Sequence, residues 1–389
     1  MVKFKFFVPT KIFFGRGQLN EMHKRGLPGK KALIVISSGK SVRVNGYLAR
    51  VEEQLDRAGI EHVIYDKVKT NPRSVDIEEG ARFARENGCD VIVGLGGGSS
   101  IDTAKLIALL AANEGSLWDY AIGGTGKRTM AKNKALPIIA IPTTAGTGTE
   151  ADQWGVATNE QNEKIGMGNE DTFPTIAIVD PDLMMSVPPK LTAYQGFDAL
   201  FHATEGYIST YSNFNSQIYS LKSIEYIAKG LAAAVADGSN AQAREDVALG
   251  STLAGIVEAL TLLAGNHGLE HALSAYHPDL PHGAGLIMMS VAYYKLLADL
   301  GACDEKMINM AKAMGVKDAS KAMDFVDALA KLIEDCGVAD LKMSDYGITP
   351  DRFEEYVDNA FKTNIYTLNA DPAKITKEQR IQILKDSYK

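Results

Sequence analysis

The chain has 389 residues, of which 46% are hydrophobic and 8% aromatic, and its formal net charge at pH 7 is -7. This length suffices for two domains with separate cores, and the charge is spread without a basic block, which argues against nucleic acid or an anionic membrane surface as a partner. Three widely spaced cysteines, Cys89, Cys303 and Cys336, predict neither a disulfide framework nor a cysteine metal site, and they are typical of a cytoplasmic protein.

The N-terminal segment MVKFKFFVPTKIFFGRG mixes apolar residues with charged ones. Lys3, Lys5, Pro9, Lys11 and Arg16 interrupt every apolar run before it reaches the length of a secretory core or the roughly 18 residues of a membrane-spanning helix. The richest later stretch, LIALLAA, is also too short. We therefore predict no membrane span, and two short strands around a turn at Pro9.

Short β-branched runs alternate with amphipathic helical patterns from Lys31 to about Pro181. The strand-like runs are KALIVIS, HVIYD and DVIVGLGGG, and the helical ones are GYLARVEEQLDRAG and VDIEEGARFARENG. ALPIIAIPT and TIAIVDP add two buried strands that each end at a proline, which cannot continue a central ladder. This alternation predicts parallel strands joined by crossover helices.

The strand pattern disappears beyond SVPPK, and from Leu191 to Lys389 the sequence is almost entirely helical. SQIYSLKSIEYIAKGLAAAVADG and DASKAMDFVDALAKLIEDCG place apolar residues three and four apart and end in glycine. We predict an α/β domain over residues 1–184 and an all-helical domain over residues 185–389, packed closely with a cleft between them.

A glycine-rich loop in VIVGLGGGSSIDTAK, residues 91–105, connects a buried strand to a helix. Glycines let the backbone approach a phosphate, and the N–H groups that open a helix favour an anion, so a diphosphate would bind at Gly97, Gly98 and Ser99. The same sequence is also compatible with a tight strand-to-helix turn that binds no ligand. Serine at position 99 departs from the G-x-G-x-x-G spacing. A second polar turn, PTTAGTGTE, follows the next strand, and two such turns on neighbouring strands favour a ligand site.

The first strand of this domain ends in SSGKS, where many nucleotide folds carry an acid that binds the ribose hydroxyls. Ser37, Gly39, Lys40 and Ser41 would instead tolerate or favour a 2′-phosphate, which predicts NADP(H) over NAD(H). The alternative is a solvated helix-capping loop with no ligand.

Four of the seven histidines lie in NHGLEHALSAYHPDLPHG, residues 266–283. His267 and His271 are four residues apart, as are Asp198 and His202 in GFDALFHATEG, so each pair shares one face of a helix. His282 follows in a predicted Pro-His-Gly turn. A single buried histidine is more often a core residue, but several such elements in one domain predict a metal site for Fe(II), Zn(II), Mn(II) or Co(II), with one histidine left for proton transfer.

These motifs, in this order, resemble the iron-containing (group III) alcohol dehydrogenases, whose members include butanol dehydrogenases, propanediol oxidoreductases and glycerol dehydrogenase. The resemblance covers nearly the whole chain, from PTKIFFGRG through GGGSSIDTAK, IPTTAGTGTE and VDPDL to DALFHATEGYIS and HGLEHALSAYHPDLPHG. It implies an α/β N-terminal nucleotide-binding domain with a parallel sheet, an all-α C-terminal metal-binding domain and a homodimer.

The resemblance also implies roles for single residues. His271 would lie beside the substrate and relay a proton, Trp154 would line the substrate pocket, and His277 matches no ligand. The implied metal ligands, for Fe(II) or another divalent ion, are Asp198, His202, His267 and His282. The implied cofactor-binding residues are Ser37, Gly39, Lys40, Ser41, Gly97, Gly98, Ser99, Asp102, Thr143, Thr144, Thr147, Lys164 and Leu183.

The activity implied by the resemblance is hydride transfer between NADP(H) and a small primary alcohol or its aldehyde. One alternative is a metal- and NAD-using lyase similar to dehydroquinate synthase. Such an enzyme needs a cleft rich in Lys, Arg and Asn, whereas the stretches ALF, GLEHALSAY and TLLAG near the metal motifs are mostly apolar. The other alternative is a non-catalytic nucleotide-binding protein, which would leave the metal-ligand set without a purpose.

Overall fold

The computed structural model describes residues 3–389, which divide into two compact units. One unit is Val8–Ser186, and the other is Val187–Lys389 together with residues 3–7. The predicted boundary between residues 184 and 185 lies two residues from this division, but residues 3–7 group with the helical unit and not with the α/β unit as predicted.

The first unit is built on a six-stranded sheet in which every pairing is parallel, with the strand order β1-β8-β5-β4-β2-β3. The remaining two strands, β6 and β7, form a separate antiparallel pair. The strands are β1 (Lys11–Phe14), β2 (Lys31–Ser37), β3 (Glu61–Val68), β4 (Val91–Gly96), β5 (Ile138–Pro142), β6 (Gly155–Thr158), β7 (Lys164–Met167) and β8 (Ile176–Val179). The helices are α1 (Ser41–Val44), α2 (Tyr47–Arg57), α3 (Ser74–Glu86) and α4 (Gly98–Ala111). The predicted parallel α/β sheet is confirmed.

The sheet is buried on both faces, which explains the continuous apolar runs in its strands. Successive side chains of a strand point to opposite faces. Ala32, Ile34 and Ile36 of β2 therefore belong to one apolar core, and Leu33 and Val35 belong to another. A strand covered by helices on both faces shows no polar alternation, so KALIVIS reads as one apolar block.

Two local predictions for this unit need correction. Residues 3–10 form no strand, so of the two predicted N-terminal strands only β1 exists; Met1 and Val2, part of the predicted first strand, lie outside the described residues. The β6–β7 hairpin is an element that the sequence pattern did not predict. Its strands have only four residues each and contain glycine and lysine, so no period-two pattern is long enough to detect.

The second unit is helical throughout residues 187–389, as predicted. Its first helix, α5, begins with a proline, which is well tolerated in the first helical turn. This helix buries nearly all of its side chains and packs against α6, α7 and α9. The helices are α5 (Pro189–Ile208), α6 (Phe214–Ala236), α7 (Ala241–Leu260), α8 (Gly265–Tyr276), α9 (His282–Asp299), α10 (Asp304–Ala313), α11 (Met323–Asp335), α12 (Phe353–Thr363), α13 (Ile365–Leu368) and α14 (Lys377–Ser387).

Within residues 3–389, no single helix has both the length and the apolar character needed to cross a membrane. The pair α7 and α8 reaches that length and composition only when taken together, across a bend of 100°.

Candidate active site

The glycine-rich loop joins β4 to α4 and lies directly against the polar turn that follows β5. Gly96 has a φ of 148°, a conformation that favours glycine. A Cβ added at Gly98 would lie 2.3 Å from Thr147 Cγ2, and one at Gly97 would lie 3.3 Å from Thr144 Oγ1. The Thr143 N–H donates to the Gly96 carbonyl at 2.8 Å. The glycines therefore let the two turns close on each other.

The start of α4 has the features of an anion site. The first N–H groups of a helix have no partner within that helix, and the helix dipole adds positive potential there. Gly97, Gly98 and Ser99 are partly exposed, and so are Thr144 and Thr147 beside them. These five residues form one continuous polar surface around the helix start, which suits a diphosphate.

A fully buried lysine holds α4 to the chain segment that follows the polar turn. Lys105 Nζ donates to Thr149 Oγ1 at 2.6 Å, to Asp152 Oδ1 at 2.9 Å and to the Trp154 carbonyl at 2.8 Å. Asp102, one turn earlier on α4, accepts from Thr149 Oγ1 at 2.7 Å and from the Val156 N–H at 3.1 Å. The members of this buried lysine network are Asp102, Lys105, Thr149, Asp152, Trp154 and Val156.

Burial raises the pKa of Asp102 to about 6, against the lowering effect of Lys105 and Thr149. Sequence reasoning missed Lys105 as the residue that holds α4 to the segment after the polar turn. The signal was available, because the DTAK motif places Asp102 and Lys105 three residues apart on one helix face.

The remaining cofactor candidates lie in different environments. Ser37 ends β2, Ser41 begins α1, and Gly39 and Lys40 between them are exposed. Other predicted cofactor residues are buried. Lys164 Nζ donates to Asn71 Oδ1 at 3.2 Å. Leu183 packs in the apolar core on one face of the sheet, so only its backbone is left for a contact with a cofactor. Trp154 is partly exposed, and its carbonyl belongs to the buried lysine network.

The second cluster of functional side chains lies entirely within the helical unit. Asp198 and His202 are one turn apart on α5, and His267 is in the first turn of α8. His282 is the first residue of α9 and not part of a turn as predicted, because Pro281 caps this helix. One ligand atom from each of these four residues lies within 4.8 Å of the others. We call this set the four-residue cluster.

Asp198 stands at the centre of the cluster. The Nε2 atoms of His202 and His267 each lie 3.6 Å from Asp198 Oδ1, and the Nε2 atom of His282 lies 3.3 Å from it. The close approach of α9 to α5 requires a glycine after His282, because a Cβ on Gly283 would lie 2.1 Å from the Tyr194 carbonyl oxygen. The glycine of the PHG motif thus lets α9 approach α5 closely enough to bring His282 to the cluster.

The cluster fits a divalent first-row metal ion. Its donors are three imidazole nitrogens and one carboxylate oxygen, with no thiolate. Asp198 Oδ1 and His267 Nε2 are buried without a hydrogen-bond partner in the protein, and the 3.6 Å between them is too long for a hydrogen bond. Since buried polar atoms are normally paired, this convergence of donors calls for a cation.

The charges in the cluster also suit a cation. Burial alone would raise the pKa of Asp198, but the imidazoles of His202 and His282 hold it well below its usual range, so the carboxylate is ionised. Burial would lower the pKa of His267, but the Glu205 carboxylate beside it raises that pKa to about 9. A metal ion that binds His267 must therefore displace a firmly held proton.

Each imidazole of the cluster turns its other nitrogen toward a glutamate that sequence reasoning missed. The pairs are His202 Nδ1 with Glu258 Oε1 at 3.3 Å, His267 Nδ1 with Glu205 Oε1 at 2.7 Å, and His282 Nδ1 with Glu270 Oε2 in a short hydrogen bond. Glu205 follows His202 by three residues, and Glu270 follows His267 by three, but this spacing places each of them near a histidine other than the one it contacts.

His271 lies beside the four-residue cluster but outside it. Its ring centroid is 5.4 Å from that of His282 and 6.4 Å from that of His267, and the residue is partly exposed. It also shares a second group of potential ligand atoms with Glu270 and His282. His277 is engaged elsewhere, with its Nε2 atom 2.7 Å from the Tyr356 hydroxyl.

Comparison with known proteins assigns both units to one family. Residues 9–181 match the sequence model of the iron-containing alcohol dehydrogenases, and residues 192–388 match that of the C-terminal domain of the Fe-containing alcohol dehydrogenase family. The 1,3-propanediol dehydrogenase of Citrobacter freundii is 34% identical over 99% of both chains, and alcohol dehydrogenase 4 of Saccharomyces cerevisiae (strain YJM789) is 32% identical over 98% of both.

The same result comes from solved structures. An archaeal halo-thermophilic alcohol dehydrogenase from a Red Sea brine pool superposes with a TM-score of 0.93 and 32% identity, covering 100% of this chain and 99% of the other. With both sequence models matched and relatives aligned end to end, the chain belongs to the iron-containing alcohol dehydrogenase family and is an oxidoreductase.

Proposed function

We propose that this chain transfers a hydride between a nicotinamide dinucleotide and a small primary alcohol or its aldehyde, and that Asp198, His202, His267 and His282 bind the required metal. The convergence of four ligand atoms within 4.8 Å is the observation that carries the proposal. The family is named for iron, which supports a divalent metal. Similar proteins are named as an NAD-dependent methanol dehydrogenase and an NADH-dependent butanol dehydrogenase, which supports a nicotinamide dinucleotide. The similar protein from Citrobacter freundii is named for 1,3-propanediol, which is a small primary alcohol.

The metal-binding residues and His271 have separate tasks. A divalent ion, when bound, supplies Lewis-acid polarisation of the alcohol or aldehyde oxygen. Asp198 contributes a buried negative charge, and the three imidazoles present Nε2 toward it. His271 would accept the alcohol proton on an imidazole nitrogen and pass it to solvent, a role supported by its partial exposure and its position beside His282.

The nucleotide-binding residues act by positioning. Gly97, Gly98 and Ser99 offer backbone N–H groups to a diphosphate, and Thr144 and Thr147 add hydroxyls on the same surface. A bound nicotinamide would supply the hydride chemistry, and these residues would hold the dinucleotide in one orientation. The two alternatives, a lyase and a non-catalytic protein, lose support because both halves match alcohol dehydrogenase models.

We further propose a preference for NADP(H) over NAD(H). No carboxylate occurs from Ser37 to Ser41, where it would bind the ribose hydroxyls and repel a 2′-phosphate. Lys40 is exposed in this loop, and the nearby Asp66 is paired with Arg43 at 2.8 Å, which offsets its charge. Replacing Lys40 with Ala should lower kcat/KM for NADPH about tenfold, the loss of one charge-assisted hydrogen bond, with little change for NADH.

Lys30→Ala is the matched control, because Lys30 is an exposed lysine that directly precedes β2, whereas Lys40 follows the other end of that strand. Equal kcat/KM values for NADPH and NADH in the unaltered protein would contradict the cofactor preference and leave the enzyme class in place.

The metal proposal is tested on protein stripped with a chelator and then reloaded with Fe(II) or Zn(II) under anaerobic conditions. We expect oxidation of NADPH with butanal to need the added metal. Turnover that is unaffected by stripping would refute the metal assignment, and absence of turnover with any metal or with either cofactor would refute the substrate class.

The homodimer and the cytoplasmic location stay predictions from the sequence. Sedimentation equilibrium of the purified protein would measure the first, because a dimer has twice the 42.0 kDa of the single chain.

A further inference from the structure

The three histidines of the four-residue cluster are oriented in the same way. Each ring directs Nε2 toward Asp198 Oδ1, at 3.3 to 3.6 Å, and each ring directs Nδ1 toward the carboxylate of a different glutamate. Glu205 and Glu270 are fully buried, and Glu258 is nearly so. A repeated arrangement of this kind on three separate helices indicates a common requirement.

That requirement is a fixed tautomer. A neutral imidazole carries one N–H and one lone pair, and only the lone pair binds a metal ion. A carboxylate accepts the N–H of Nδ1, so the lone pair is left on Nε2, which here points to the centre of the cluster. Glu205 and Glu270 thus select both the tautomer and the ring direction of His267 and His282. Glu258 Oε1 lies 3.3 Å from His202 Nδ1 as an ion pair, which favours the same ring direction less strongly.

The glutamates also connect the helices that supply the ligands. Each acid comes from a different helix than the histidine it contacts. Glu258 of α7 contacts His202 of α5, Glu205 of α5 contacts His267 of α8, and Glu270 of α8 contacts His282 of α9. The order α7, α5, α8, α9 is therefore a continuous series of contacts that fixes where each ring stands relative to the next.

We propose that Glu205, Glu258 and Glu270 are positioning residues that prepare the three imidazoles for a divalent cation, and that their contributions are graded, with Glu205 contributing most and Glu258 least. This inference rests on the proposed role of the four-residue cluster as the metal site.

The grading follows from the two hydrogen bonds that Glu205 accepts from His267 and from the longer, partly exposed contact of Glu258. Glu205 accepts twice from the same residue, from His267 Nδ1 at 2.7 Å on Oε1 and from the His267 backbone N–H at 3.1 Å on Oε2. A glutamine at this position has only one acceptor oxygen. The NH2 group of the glutamine would either face the His267 backbone N–H, which is also a donor, or donate to Nδ1. Donation to Nδ1 would place the ring hydrogen on Nε2, where the cation must bind.

Replacement of either of the other two glutamates with glutamine should weaken metal binding less. Glu270 contacts His282 Nδ1 through Oε2, so a glutamine there keeps the acceptor by turning its amide oxygen toward the ring. Glu258 lies 3.3 Å from His202 Nδ1, and 12% of its side chain is exposed, so solvent weakens its interaction.

The test compares Glu205→Gln, Glu270→Gln and Glu258→Gln with the unaltered protein, using Zn(II) or Co(II) in competition with a chromogenic chelator. We expect Glu205→Gln to weaken metal binding about 10- to 100-fold, with Glu270→Gln and Glu258→Gln following in that order and each losing less. The visible spectrum of the Co(II) form should change in Glu205→Gln, because a turned His267 ring alters the ligand field. Melting of the metal-free proteins checks that each variant is folded.

Glu245→Gln is the matched control. It makes the same charge change on α7, 13 residues before Glu258 and so about 20 Å away along the helix. Its metal affinity and Co(II) spectrum should equal those of the unaltered protein.

His267→Ala separates the two proposals. If that variant binds metal with full affinity, the four-residue cluster is not the metal site and the proposed function fails. If His267→Ala loses the metal while Glu205→Gln binds it as tightly as the unaltered protein, the positioning role alone is refuted. If Glu258→Gln has the largest effect, the grading is refuted.

Discussion

The two buried polar clusters of this chain satisfy their charges in opposite ways. In the buried lysine network, the Lys105 cation donates to three oxygen atoms, and both carboxylate oxygens of Asp102 accept hydrogen bonds. In the four-residue cluster, Asp198 Oδ1 faces three imidazole nitrogens at distances too long for strong hydrogen bonds. The first cluster is complete with protein atoms alone and serves structure. The second presents the set of ligand atoms that suits a divalent cation.

The comparison shows that a structural cluster can be distinguished from a binding site by finding the hydrogen-bond partner of each buried polar atom. A buried lysine with three acceptors resembles any other satisfied core group, even though it lies beside the turns proposed to bind the nucleotide. Buried polar atoms that face each other without a hydrogen bond, as Asp198 Oδ1 and His267 Nε2 do, indicate a place where a ligand binds. Variants in the two clusters should therefore fail in different assays.

The largest expected effect is that of His267→Ala, which removes one of the four proposed ligands. We expect both metal retention and turnover to be lost, measured as metal content by atomic absorption and as NADPH oxidation with butanal. His277→Ala is the control, since His277 contacts Tyr356 and lies outside the cluster. Full metal content and rate in His267→Ala would contradict the assignment.

His271→Ala should separate metal binding from proton transfer. Because His271 lies outside the four-residue cluster, metal content should stay at the level of the unaltered protein. The rate should fall by about 100-fold or more, the range expected for loss of a general acid or base. Added imidazole should restore part of this rate. A variant that keeps the full rate would exclude His271 from the reaction.

Lys105→Met should disrupt the buried lysine network and leave the proposed metal site unchanged. It leaves Asp152 buried without its cation, which typically costs about 3 to 5 kcal/mol of unfolding free energy. Urea denaturation monitored by circular dichroism would measure this loss. Lys67→Met removes an exposed lysine paired with Glu79 and should cost less than about 1 kcal/mol. Equal free energies of unfolding of the two variants would mean that the buried lysine network stabilises the fold no more than an exposed ion pair does.

The smallest expected effect is a change in how stability depends on pH in Asp102→Asn. The folded-state pKa of Asp102 is about 6, above its ordinary value of 3.8, so the folded protein holds this proton more tightly than the unfolded chain. The resulting stability is present below pH 3.8 and is lost as the pH rises through about 6. Relative to the unaltered protein, Asp102→Asn should therefore gain about 2 to 3 kcal/mol between pH 4 and pH 7.

Denaturation of both proteins across this pH range measures the difference directly. Any constant offset reflects the altered hydrogen bonds to Thr149 and Val156. A difference that does not change with pH would show that Asp102 titrates in the folded protein as it does in the unfolded chain.

Local patterns predicted much of the fold. The parallel α/β sheet and the helical half follow from the period of apolar residues, which depends only on neighbours along the chain. The exceptions have physical reasons. The β6–β7 hairpin is too short to show a period, and residues 3–10 have apolar side chains like a strand but pair with no strand within the described chain. His282 was predicted in a turn, because a sequence pattern does not show that Pro281 caps a helix.

The sequence by itself determined the features that depend on spacing along the chain. Asp198 and His202 share one helix face, and the glycines that follow β4 allow the polar turn to approach closely. Only the tertiary structure decided which groups meet across helices. Glu205 reaches His267, 62 residues away, and Lys105 reaches Asp152, 47 residues away. Such contacts arise when whole apolar faces of helices and strands pack together. They therefore depend on the combined burial of many side chains and not on the local sequence around any one residue.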